Sequence, residues 1–97
     1  MGKVHIEALD QLYKAILNIE NKEECAAFLE DICTIKELQD ISQRLHVAMM
    51  LSRGSNYQEV SAETGASTAT ICRVNKCLLY GGGGYRSVID KMNGKEE

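Results

Sequence analysis

Four side chains between positions 68 and 76 have types that suit a DNA-reading face. Thr68 carries a hydroxyl and a methyl. Ala69 adds another methyl, and Arg73 and Lys76 bring positive charge. Nothing in the chain suggests covalent chemistry with equal clarity. No cysteine–histidine or paired-carboxylate arrangement has a spacing that places the groups together, and 97 residues leave little room for a closed pocket, so an enzyme is not expected. Cys25, Cys33, Cys72 and Cys77 form no C-x-x-C pair, and His5 and His46 stand apart from them in sequence. Buried thiols acting as small hydrophobes are the plain reading. A metal site or a redox switch is the alternative, and oxidation would matter most at Cys72 and Cys77, which share a helix with the candidate readers.

To present those readers, the chain needs a helix with one face buried. Tyr57 to Leu79 predicts a helix, a tight turn and a second helix. Asn56 is the expected N-cap of the first, with Glu59 three residues on to complete a capping box. Val60 and Ser61 supply its inner face. Gly65 breaks the helix, because glycine takes a left-handed backbone without strain. Ser67 can cap the next helix. Ile71, Val74 and Leu78 recur at three and four residues and predict the buried stripe, opposite Thr68, Ala69, Arg73 and Lys76. Two short helices joined by a three- or four-residue turn with glycine make the helix-turn-helix pattern of DNA readers. Thr64 departs from that pattern, since an aliphatic residue usually packs between the helices there.

The remaining elements are also helical. Residues 5–19 predict an amphipathic helix with Ile6, Leu9, Leu12, Tyr13, Ile16 and Leu17 on its apolar face. Asn21 opens a second helix, with Glu24 as capping partner and Cys25, Phe28, Leu29 and Ile32 inside. Thr34 and Glu37 form a further capping box, opening a third helix that runs to about Arg53 and is ended by Gly54. Its expected inner face is Ile35, Leu38, Ile41, Leu45, Ala48 and Leu51. Gly81 to Gly84 predict a flexible joint. Tyr85 to Met92 predict a closing helix with Tyr85, Val88, Ile89 and Met92 on its apolar side, and residues 93–97 a frayed tail. The expected organisation is one all-α domain over residues 1–97: dimerisation helices at 1–33, a central helix at 34–54, the helix-turn-helix at 56–79 and the closing helix at 85–92.

Composition narrows the class. A hydrophobic content of 44% with 26% charged residues fits a globular chain, and the lack of proline and tryptophan suits helices. No stretch is long and apolar enough for a membrane span, and the N-terminus lacks the apolar run of a signal peptide. Gly2 has no Ser or Thr at the sixth position to complete a myristoylation motif. The expected location is cytoplasmic, without a membrane partner. The net charge of −3 is unevenly spread. Residues 1–40 carry four lysines and nine acids, whereas residues 65–97 carry five basic groups and three acids. Weak background DNA binding is therefore expected, with reliance on base contacts or on dimer formation. The wide apolar faces of the first two helices exceed what so short a chain can cover, which predicts a homodimer built through them.

The run from Thr34 to Leu78 resembles the tryptophan repressor (TrpR) superfamily, and within it the YerC/YecD-type TrpR-related proteins, with one residue deleted inside the first motif helix. The resemblance rests on Thr34, Glu37, Arg44, Arg53-Gly54, Gln58, Gly65-Ala66, Ala69-Thr70-Ile71 and Arg73. It implies a TrpR-like fold of about six helices, an intertwined homodimer, and control of transcription through double-stranded DNA. It also implies that Gln58 touches phosphate at the start of the first motif helix and that Arg44 reaches the backbone. Thr68, Ala69 and Thr70 would face base edges, where hydroxyls donate or accept and methyls touch thymine, and Ser67 would bind phosphate or cap the helix. Where the repressor has basic residues on its first motif helix, this chain has Glu59 and Ser61, and Lys76 could replace some of that charge.

The resemblance further places a ligand pocket at Thr34, Arg44, Arg73, Val74 and Cys77. The repressor's tryptophan lies between two arginines, matching Arg44 and Arg73, and its carboxylate also meets a threonine matching Thr34. The glycine that leaves room for the ligand ring is Val74 here, and a serine near the ligand amino group is Cys77. The valine methyls would fill the gap themselves. The expectation is a sequence-specific DNA-binding transcriptional regulator, with repression the expected direction, that needs no tryptophan and no cofactor. An effector of unknown identity is left open. The alternative is a helical adaptor that grips a protein with the same exposed face.

Overall fold

The computed structural model describes residues 6–94. Six helices follow in order: α1 (Ile6–Leu17), α2 (Lys22–Ile32), α3 (Ile35–Ser52), α4 (Tyr57–Thr64), α5 (Thr68–Tyr80) and α6 (Gly84–Gly94). Among the described residues there is no strand. His5 and residues 95–97 lie outside the described residues, so the expected first helical residue and most of the expected tail lie there too. Asn93 and Gly94 belong to α6 rather than to a tail. The chain divides into two compact units, Met1–Leu38 and Gln39–Glu97.

In the first unit the helix starts follow from local hydrogen bonding. The Asn21 side chain accepts from the Glu24 N–H at 2.7 Å. The Glu24 carboxylate accepts in turn from the Glu20 N–H at 2.8 Å, one residue before the cap. Thr34 and Glu37 form the reciprocal box: the Thr34 hydroxyl accepts from the Glu37 N–H at 3.1 Å, and the Glu37 carboxylate from the Thr34 N–H at 2.8 Å. Such boxes satisfy two of the donors a helix start leaves open. Neither α1 nor α2 contains a buried residue. Ile6 and Leu17 are 83% and 82% exposed, while Leu9 and Leu12 of the same apolar face are half-buried.

The second unit holds the core. Val47, Ala48 and Met50 of α3, Val60 of α4, Ala66 of the turn, Ile71, Val74 and Leu78 of α5, and Ile89 of α6 form one buried cluster. Val47 and Met50 were absent from the expected inner face of α3, whereas Ile35 and Ile41, expected there, are exposed. The apolar positions of α3 wrap more than half its circumference, and only tertiary packing selects which arc is covered. The same holds for α6: Ile89 is buried, while Val88 and Met92 are exposed. The glycine run is not simply a loose joint. Gly81 closes α5 by donating its N–H to the Cys77 carbonyl at 3.0 Å, and a Cβ at Gly81 would lie 2.5 Å from that oxygen. Gly84 is already the first residue of α6.

Ile71→Ala, which hollows this cluster, should lower the unfolding free energy by about 2–5 kcal/mol in a urea titration. Ser87→Ala, at an exposed position of α6, should change it by less than about 0.5 kcal/mol. Equal losses from the two would show that the core is misplaced.

Candidate nucleic-acid interface

The helix-turn-helix is built by caps at both starts and by a glycine between them. The Asn56 side chain accepts from the Glu59 N–H and the Glu59 carboxylate accepts from the Asn56 N–H, both at 2.8 Å. Gly65 ends α4 with φ +72°, the left-handed conformation that its position requires. The Ser67 hydroxyl accepts from the Thr70 N–H at 3.2 Å and opens α5. Of the two roles foreseen for Ser67, capping is the one its geometry displays. The three buried residues of α5 are the predicted stripe, Ile71, Val74 and Leu78.

With that stripe buried, α5 turns Thr68, Ala69, Cys72, Arg73 and Lys76 to solvent. Among the described residues no hydrogen bond or ion pair engages the Arg73 or Lys76 side chain. Thr70 is half-buried, and its Oγ1 accepts a hydrogen bond from the Ser67 hydroxyl at 3.2 Å. Its hydroxyl is thus already tied to the cap. Gln58 is exposed on α4 and lines an open concavity of about 400 Å³ with Tyr57, Ser61, Ala62 and Thr68. The first turns of α4 and α5 therefore border one hollow.

The two acids of α4 each have a partner within the protein. Glu59 spends its carboxylate on the cap. Glu63 lies 3.2 Å from the Nε2 of His46 on α3. Ser61 is exposed rather than on the inner face, and its hydroxyl donates to the Ala66 carbonyl at 3.4 Å.

Of the expected ligand residues in the second unit, two line one cavity. Arg44 and Cys77 share an open cavity of about 650 Å³, walled by Ile41, Leu45, Tyr85, Val88 and the glycines 81–84. Val74 is 1% exposed and belongs to the core, and Arg73 does not line the cavity. Thr34, in the first unit, holds the capping bond to Glu37. The thiols correct the expectation of burial: Cys25 and Cys33 are half-buried, and Cys72 and Cys77 are exposed. Both lie on α5 outside the arc held by Ile71, Val74 and Leu78, which is the only arc that the second unit covers. Among the described residues no group of three or more His, Cys, Asp or Glu is placed to hold a metal ion, and no helix is long and apolar enough to cross a membrane.

Six helices with a capped helix-turn-helix, whose second helix is buried on one side and bare and basic on the other, define a helix-turn-helix protein. The Trp repressor protein family matches residues 7–93, and the chain belongs to that family of DNA-binding transcriptional regulators. It is 47% identical to the uncharacterized protein YerC of Bacillus subtilis (strain 168) over 96 residues, 99% of this chain and 92% of that one. Among solved structures it is similar to a candidate Trp repressor from Staphylococcus aureus, with a TM-score of 0.87 and 48% identity, covering 92% of this chain and 89% of the other. A TrpR-like protein from Eubacterium eligens gives a TM-score of 0.86 at 45% identity, with 90% of each chain covered.

Ser67→Ala should cost about 1 kcal/mol of folding stability through loss of the cap, read in thermal or urea unfolding. An unchanged stability would return Ser67 to the phosphate-binding role.

Proposed function

We propose that this protein is a sequence-specific transcriptional regulator that acts as a homodimer, and that it reads DNA without tryptophan. The observation that carries this reading is the two-sided character of α5. Ile71, Val74 and Leu78 are buried, and Thr68, Ala69, Arg73 and Lys76 stand exposed on the other side. In this reading the first turn of α5 enters the major groove. Thr68 and Ala69 meet base edges there, with Thr70 beside them, and Arg73 and Lys76 neutralise phosphate. Gln58, from α4, donates to the backbone. Arg44 serves phosphate contact or an ion pair.

Two features support a dimer. The family is one whose members usually dimerise, and α1 leaves Ile6, Tyr13, Ile16 and Leu17 exposed. A second copy covering such surfaces would remove that apolar area from water, at roughly 25 cal/mol per Å². It would also supply the two-fold symmetry with which helix-turn-helix proteins read paired half-sites.

Tryptophan independence rests on Val74. Its side chain already occupies core space, so no ligand ring is needed to seat α5. The direction of regulation expected is repression. The location expected is the cytoplasm, where the DNA is.

Selection of bound fragments from bacterial genomic DNA, at near-physiological salt and with no added ligand, tests the whole reading. The expected product is a palindrome with half-sites about one helical turn, ~34 Å, apart. No enrichment, with or without added metabolites, would favour a helical adaptor that binds protein instead. Arg73→Ala and Lys76→Ala should each reduce the slope of log affinity against log salt by about one. Isothermal titration with tryptophan should give no micromolar binding, and its appearance would overturn the role assigned to Val74. Val74→Gly should loosen α5, and tryptophan-dependent DNA binding by that variant would support the gap-filling account directly.

A further inference from the structure

The turn between α4 and α5 is held by side-chain hydrogen bonds where an aliphatic wedge is usual. Thr64 stands at the position of that wedge. Its Oγ1 donates to the Val60 carbonyl at 2.7 Å, inside α4. The same oxygen accepts from the Ala66 N–H at 3.1 Å, in the turn. One hydroxyl thus ties the last turn of α4 to the peptide that launches α5. The Thr64 carbonyl accepts from the Gln43 side-chain amide of α3 at 3.1 Å, across a separation of 21 residues. Gln43 and Thr64 are both half-buried, and Ala66 is 3% exposed.

We propose that Gln43 and Thr64 form a polar clasp that sets the angle of α5 relative to α3 and α4, and so act as positioning residues for DNA reading. The inference rests on the DNA-binding reading of α5 for its consequence, though not for the clasp itself. The physical argument is geometric. An aliphatic side chain at position 64 would hold the two helices together by contact alone, which tolerates small rotations. A hydroxyl that must donate to one carbonyl and accept from one N–H fixes direction as well as distance. The Ala66 N–H sits at a nearly buried residue, where losing its partner is costly, so the alternative angles are disfavoured. Gln43 extends the constraint to α3, because the carbonyl it holds is the one at the C-terminal end of α4 that the helix itself leaves open. The clasp also complements Val74. The valine seats α5 by apolar packing, and the hydroxyl sets its launch direction. Neither needs a ligand.

Thr64→Val removes the hydroxyl at nearly constant shape, Thr64→Ser keeps it, and Gln43→Leu removes the tie to α3. Amide hydrogen exchange of the full chain reads the clasp without DNA. In Thr64→Val the Ala66 amide should exchange at least about threefold faster, with the amides of Ile71 and Val74 protected as in the wild type, and Thr64→Ser should restore protection. On the selected DNA site, Thr64→Val and Gln43→Leu should each bind about 3- to 10-fold more weakly, with affinity for random DNA unchanged. Unaltered Ala66 exchange in Thr64→Val would overturn the clasp whether or not the protein binds DNA. Faster exchange with unaltered affinity for a site that the wild type does bind would overturn its positioning role. If the wild type binds no DNA, the reading of α5 fails, the positioning role fails with it, and the exchange result alone decides the clasp. Collapse of protection throughout α5 in Thr64→Ser would reduce Thr64 to a general stability residue and overturn the proposal.

Discussion

Burial of a single stripe on α5 constrains nearly everything else in the second unit. Ile71, Val74 and Leu78 lie within one cluster with Val47, Ala48 and Met50 of α3, Val60 of α4, Ala66 and Ile89. Once those three side chains are removed from water, residues on the opposite arc must face out, because a helix turns about 100° per residue. The exposure of Ala69, Arg73 and Lys76 is therefore a consequence of packing and not a separate feature.

Packing alone does not orient a short helix. Here the remaining freedom is taken up by hydrogen bonds of two kinds. The caps at Asn56 and Ser67 fix where α4 and α5 begin. The bonds made by Thr64 and Gln43 fix how one follows the other. Glu59 and Glu63 take part in this local bonding, to the Asn56 N–H and to His46. Both carboxylates therefore have hydrogen-bond partners within the protein.

The first unit follows a different logic. Its helices are defined by Asn21, Glu24, Thr34 and Glu37 through local bonding, yet no side chain on α1 or α2 is buried. Local signals suffice to write a helix, but an amphipathic helix gains most of its stability from covering its apolar face. Acids are concentrated in residues 1–40, and basic groups outnumber acids in residues 65–97.

Local sequence was enough for the six helices, the caps at Asn21, Thr34, Asn56 and Ser67, the glycine at the turn and the three-residue stripe of α5. Each of these is a local effect or a periodicity, legible within a few residues. It also determined membership in the Trp repressor family, through motifs that the family comparison bears out. Tertiary structure alone decided which arc of α3 is inside, because its apolar residues allow more than one arc and only the facing helices choose Val47 and Met50 over Ile35 and Ile41. It decided that the four thiols are not core residues, and that the Thr70 hydroxyl oxygen accepts from Ser67, the cap of α5. It decided, too, what Thr64 is for. A threonine read as a defect in an apolar pattern becomes a tie across the turn once Ala66 and Gln43 are brought within hydrogen-bond distance. Residues 21 apart cannot show in a sequence window that they share a bond.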